Sequence, residues 1–88
     1  MRKLFENFVM YSDFPQRHYR QIAALLEDGM FKCSRWEGEI LHAEPFERTN
    51  PDAEILICAS EEDAVASARA DHKESLSEGW HNYDPSGP

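Results

Sequence analysis

The chain has 88 residues, 41% of them hydrophobic, and a formal net charge of −8. That length holds one domain with a simple core, and the hydrophobic share exceeds what a disordered chain carries. A surplus of negative charge repels phosphate backbones and anionic lipid, which argues against direct binding to nucleic acid or membrane and favours a protein partner with a basic surface.

The first stretch, Leu4 to Tyr11 (LFENFVMY), is rich in aromatic and β-type residues and suits a strand. Leu4, Phe5, Phe8 and Val9 also fall on one face at helical spacing, so a helix stays open. The basic pair before it is followed by an apolar run that Glu6 and Asn7 interrupt, with no small-residue cleavage site, so a signal peptide is not expected. No apolar run approaches the roughly 18 residues of a membrane span.

A helix is predicted over 14–28. Asp13 can cap it, Pro15 sits in its first turn, Gln16 closes a capping box, and Gly29 ends it. Tyr19, Ile22, Ala23, Leu25 and Leu26 form its apolar stripe, with Arg17, Arg20 and Gln21 on the other face. Phe31 and Cys33 then alternate with Lys32 and Ser34. A hairpin is expected, turning at Glu37-Gly38 and returning through Ile40–Ala43 until Pro45. Residues 47–52 (ERTNPD) read as a loop.

The stretch Ala53 to Ser60 (AEILICAS) is the most apolar strand, with Ile55 and Ile57 on one face and Leu56 and Cys58 on the other. Such a strand is expected to be covered on both faces or central in its sheet. A helix follows, capped by Ser60, with Glu61, Glu62 and Asp63 in the first turn where its dipole favours negative charge. Ala64, Val65, Ala68, His72 and Leu76 form its inner face, and Gly79 closes it.

The predicted order is β-α-β-β-β-α, an α+β domain over 1–78 with two helices on a mostly antiparallel sheet of three to four strands. Residues 79–88 form a polar, Gly/Pro-broken tail that is expected to be flexible, although it carries Trp80 and Tyr83. Trp80, directly after a glycine cap, is expected to pack back on the domain, and Tyr83 to be available to a partner.

Chemistry is hard to find. Cys33, His42, Cys58 and His72 lack the close pairs of a metal site, so no metal or other cofactor is expected. The cysteines read as buried free thiols of a reducing cytoplasm. The serines lack a G-x-S-x-G elbow, the glycines are scattered, and no carboxylate pair has a local reason for a raised pKa. None of the four histidines has a sequence neighbour that argues for acid–base work.

Charge is more informative. Residues 1–36 hold six basic residues against four acidic ones, and residues 37–88 hold thirteen acidic against three basic. The expected working surface is therefore acidic: Glu37, Glu39, Glu44, Glu47, Asp52 and Glu54, with Trp36 and Tyr83 as aromatic anchors. Held on a stiff scaffold, those carboxylates could mimic DNA and occupy a basic nucleic-acid-binding groove.

In size, acidity and α+β outline the chain resembles the small proteins with which phages block bacterial defence systems, anti-CRISPR proteins among them. The resemblance is one of class and covers no specific residues. It implies a non-enzymatic inhibitor working in the cytoplasm, that of the host if phage-encoded. The first alternative is a regulatory or interaction domain, such as an immunity protein, antitoxin or complex subunit, whose apolar face is completed by a partner or a homodimer. A small enzyme whose site assembles only in space is the second.

Overall fold

A computed structural model describes residues 2–13, 16–39 and 53–83. Four strands, β1 (Arg2–Ser12), β2 (His18–Glu27), β3 (Met30–Gly38) and β4 (Glu54–Cys58), precede helix α1 (Glu61–Ser77) and a short strand β5 (His81–Asn82). Every pairing is antiparallel, and the sheet runs β4-β3-β2-β1-β5. The protein is thus α+β, a five-stranded antiparallel sheet with one helix among the described residues.

The helix expected over 14–28 is instead β2. Its apolar residues were legible as a helical stripe, but they also serve the two faces of a strand hydrogen-bonded on both sides. Ile22 and Ala24 point toward α1 and into the core, while Ala23 and Leu25 are buried on the opposite face. The deciding local signal is Asp28-Gly29. Both residues have positive φ, 53° and 75°, and Glu27 pairs with Met30 across them. A two-residue Asp-Gly loop of this kind matches the strand twist and closes a tight hairpin. Gly29 is therefore a turn residue and not a helix cap. Asp13 and Gln16 cap nothing: Asp13 pairs with Arg17 at 3.6 Å, and the Gln16 amide reaches Glu39.

Glu37-Gly38 is not a turn either. β3 runs through it, setting Arg20 opposite Glu37 and Tyr19 opposite Gly38. Glycine suits this position beside the indole, because a Cβ on Gly38 would clash with the outer edge of the Trp36 ring unless the ring shifted. The expected return strand at 40–43 and the loop at 47–52 lie outside the described residues.

β4 was expected to be central or covered on both faces. Among the described residues it is an edge strand, with β3 as its partner. Ile55, Leu56 and Ile57 are 42, 56 and 55% exposed. The pattern of hydrophobicity is that of a buried strand, but β4 stands at the end of the sheet that the described residues form.

α1 forms where expected. The Ser60 hydroxyl accepts from the Asp63 amide at 3.1 Å, and Glu61, Glu62 and Asp63 occupy the first turn. The helix packs mainly on β2 and β3, with lighter contact to β1 and β4. Ala64 and Ala68 are fully buried against Met10, Ile22, Ala24 and Cys33. Small side chains at those two positions let the helix axis approach the sheet closely. Phe8 stacks on His72 with ring centroids 4.0 Å apart, and the imidazole bonds Asn82 Oδ1 at 2.7 Å. The inner face is rotated slightly from the expected stripe, with Ser75 buried and Leu76 38% exposed.

Candidate interaction surface

At the C-terminal end of α1 the charges close on one another. Arg20 is 7% exposed, and a buried guanidinium requires both hydrogen bonds and a counter-charge. Its Nε donates to Glu37 Oε1 at 2.8 Å, and one terminal nitrogen donates to Ser75 Oγ at 2.7 Å. The Ser75 hydroxyl in turn donates to the Asp71 carbonyl at 2.8 Å. Glu78 lies 3.6 Å from the same guanidinium, and the Trp80 ring lies beneath it at 4.3 Å. Trp80 therefore packs on the domain. Its backbone N–H bonds the Ser75 carbonyl at 3.1 Å, and its ring joins the edge of the core.

Two carboxylates and a second arginine extend this cluster along the sheet. Arg35 bridges Glu37 at 3.4 Å and Asp71 at 3.3 Å. On the far side of the helix, Arg69 bonds Glu6 at 2.9 Å. The basic residues of the N-terminal half are thus partly consumed in neutralising the acidic half.

Past Arg35 the surface opens toward β4. A depression of about 410 Å³ is lined by Arg35, Trp36, Glu37 and Glu54. A second, of about 340 Å³, is lined by Cys33, Ile55, Leu56, Ser67 and Asp71, and again by Arg35 and Glu54. The second is a groove between α1 and β4, with Ile55 and Leu56 on its β4 wall, and it shares Arg35 and Glu54 with the first.

Of the residues expected to form an acidic contact surface, Glu37, Glu39 and Glu54 are described. Glu37 is bound by Arg20 and Arg35, and Glu39 by Gln16. Glu54 is exposed at the start of β4, opposite Arg35 in register. Trp36 is half-buried beside Gly38, on the wall of the first depression. Glu44, Glu47 and Asp52 lie outside the described residues. Tyr83 is docked on the far edge: its N–H donates to the Val9 carbonyl at 2.8 Å, and its ring meets Tyr19 edge-on at 5.9 Å.

Catalytic chemistry has few candidates here. Cys33 and Cys58 are free thiols. Burial, reinforced by Cys58 and Asp71 nearby, pushes the Cys33 thiol up to about 11, so it stays protonated near neutrality. Among the described residues no three His, Cys, Asp or Glu side chains converge to hold a metal ion. Among the described residues, no helix is long and apolar enough to cross a membrane.

The surface that sequence reasoning missed is the trio Ile55, Leu56 and Ile57. Its composition suggested burial. The signal pointing the other way is order along the chain: when hairpin follows hairpin, the strand before the crossover helix is an edge. No protein-family model, curated protein or solved structure matches the chain.

Proposed function

We propose that this protein is a non-enzymatic interaction domain whose working surface is the outer edge of β4 with the adjoining groove. The observation that carries the proposal is a strand at the edge of the sheet among the described residues, whose three central residues, Ile55, Leu56 and Ile57, are 42, 56 and 55% exposed. Natural edge strands are usually blunted by a charge, a proline, a bulge or a covering segment, because open backbone groups beside apolar side chains recruit another strand. The interior of β4 has no charge and no proline. Added strands bind through main-chain hydrogen bonds, with alternate side chains supplying specificity. Glu54 and Arg35 at the groove would fix the orientation of what binds.

A second reading, an acidic inhibitor of the anti-defence type that covers a basic nucleic-acid-binding surface, is favoured by the net charge of −8 and by the exposed carboxylates of Glu54, Glu61, Glu62 and Asp63. The two readings differ in the sign of their salt dependence. Apolar strand addition survives high salt, whereas a steered charge contact weakens as screening shortens the Debye length.

Affinity capture from a bacterial lysate, comparing wild type with Ile57→Lys, tests the first reading. The expected result is a partner retained by wild type through a high-salt wash and lost by the variant. Equal retention by both proteins refutes it, and loss of the partner from wild type at high salt transfers support to the acidic reading.

A further inference from the structure

We infer that β4 pairs antiparallel with β4 of a second copy of this chain, with Leu56 opposite Leu56, joining two five-stranded sheets into one of ten strands; the inference rests on the reading of β4 as the working surface. Four observations carry it. β4 has β3 as its one strand partner among the described residues, whereas the other edge of the sheet ends in a strand of two residues, the kind of short edge that resists further pairing.

The second observation is the sequence of the strand. Ile55-Leu56-Ile57 reads the same in both directions. A two-fold axis through Leu56 therefore sets Ile55 opposite Ile57 of the other copy and Ile57 opposite Ile55. Four isoleucines then form one continuous apolar patch on one face, and two leucines meet on the other. Cross-strand pairs of this kind are the unit of sheet stabilisation.

Charge supplies the third. Glu54 is the single charged residue of β4. In the register centred on Leu56 it faces Cys58 of the other copy, and the two Glu54 residues lie four residues apart along the strand direction. At a rise of about 3.4 Å per residue that is about 14 Å, beyond the Debye length of about 8 Å at physiological salt. A register that set the two glutamates opposite each other would place like charges in contact.

The fourth is the position of the helix. The two-fold of an antiparallel pair is perpendicular to the sheet, so both copies of α1 lie on the same face. α1 packs most on β2, next on β3, and only lightly on β1 and β4. With strands spaced about 4.8 Å apart, β2 lies about 12 Å from the axis, and the helices stand about 24 Å apart. Helices about 10–12 Å in diameter leave an open trough between them, walled by the two grooves and floored by the leucines. Among the described residues, the spacing leaves room for both helices on the ten-stranded sheet.

Sedimentation equilibrium and directed cross-linking test the inference. The expected result is a monomer–dimer equilibrium that tightens as salt rises from about 50 to about 500 mM, because each copy carries a charge of −8 and screening relieves their repulsion. Leu56→Lys should weaken the dimer by about 100-fold or more, the equivalent of losing one tenfold contact on each side of the axis. In a Cys58→Ser background, Leu56→Cys should oxidise to a covalent dimer, because directly opposed Cα atoms are about 4.5–5.5 Å apart, within disulfide range. Ile55→Cys in the same background should not, since its own counterpart is a diagonal neighbour at about 7–8 Å.

A strict monomer at about 500 µM overturns the inference. If Ile57→Lys nevertheless still abolishes partner capture, β4 remains the working surface with a different occupant. A dimer that neither Leu56→Lys weakens nor Leu56→Cys traps is formed elsewhere, and it overturns the inference equally. Because Leu56 is more than half exposed, its variants retain the fold, which circular dichroism checks in parallel.

Discussion

Replacing Arg20 with alanine removes the group that ties the end of α1 to β2 and β3. The guanidinium donates to Glu37 and Ser75, faces Glu78 at 3.6 Å and lies 4.3 Å from the Trp80 ring. Breaking a fully buried pair costs about 3–5 kcal/mol, because the orphaned partner stays dehydrated. Here the partners are not fully buried. The side chains of Glu37 and Glu78 are 43% and 51% exposed, so water can rehydrate both once Arg20 is gone. Ser75 keeps its bond to the Asp71 carbonyl. What is lost is a hydrogen bond between charged groups, about 1.5–3 kcal/mol, and the contact with the indole face, about 0.5–1 kcal/mol. The expected destabilisation is therefore about 2–4 kcal/mol, a large share of a small domain's stability.

Urea denaturation followed by circular dichroism measures it, with the slope expected to stay constant while the midpoint falls. A double-mutant cycle separates the contributions. Arg20→Ala, Glu37→Gln and the double variant should show a coupling of about 1–2 kcal/mol, less than the full effect of Arg20→Ala, because Ser75 and Trp80 carry the remainder. Arg20→Lys should recover charge but not the fork that reaches two acceptors at once, and so should recover only part of the loss. A change of less than about 0.5 kcal/mol in Arg20→Ala, within the range of an ordinary surface substitution, would refute the account of this cluster as the clasp of the fold.

The remaining predictions concern pH, the indole and the hairpin turn. The folded state holds the Cys33 proton up to about 11 against an ordinary value of 9.0, so the unfolded chain releases it first and stability should fall between about pH 9 and pH 11; Cys33→Ala should remove that part of the decline seen in denaturation midpoints. Gly38→Ala should displace the Trp36 ring, shifting its fluorescence while costing about 1–3 kcal/mol for the forced repacking. Gly29→Ala places a Cβ at a φ of 75° and should destabilise the hairpin by about 1 kcal/mol, read as a lower thermal midpoint, with no clash to add because the space around it is open.

The elements legible in the sequence were those whose signals are local. Ser60 and the three acids after it announce a helix start, and a helix stands there. The first strand showed in its aromatic and β-type composition. β2 was misread because Ala23, Ala24, Leu25 and Leu26 are good helix formers; strand pairing with β1 and β3 along nearly its whole length overrides that preference. Asp28-Gly29 carried the correct answer, but its meaning depends on the strand that follows. The groove escaped entirely, since it needs Arg35, Glu54 and Asp71 to meet from three different elements. Trp80 was legible as a packing residue because the glycine before it marks a chain that turns back. That its contact would be the Arg20 guanidinium was not, because the two are far apart in sequence.

The charge asymmetry of the chain and its apolar edge have a common consequence. Three of the six basic residues of the N-terminal half face inward or across the sheet: Arg20 to Glu37 and Glu78, Arg35 to Asp71, Lys32 to Glu27. Spending them on internal pairs leaves the exterior with the surplus of acids, Glu61, Glu62 and Asp63 among those exposed at the helix start. A net charge of −8 on a protein this small repels unselective neighbours, so an uncharged strand edge can stay open without recruiting every chain that carries a β-strand. Charge would then act as the filter and β4 as the grip. That division makes a definite demand on any partner: it must supply an extended segment and tolerate, or neutralise, the acidic surround. Raising ionic strength lowers the filter without loosening the grip. Association through β4 should therefore become both tighter and less selective in high salt, whereas a contact made by the acids themselves would only weaken.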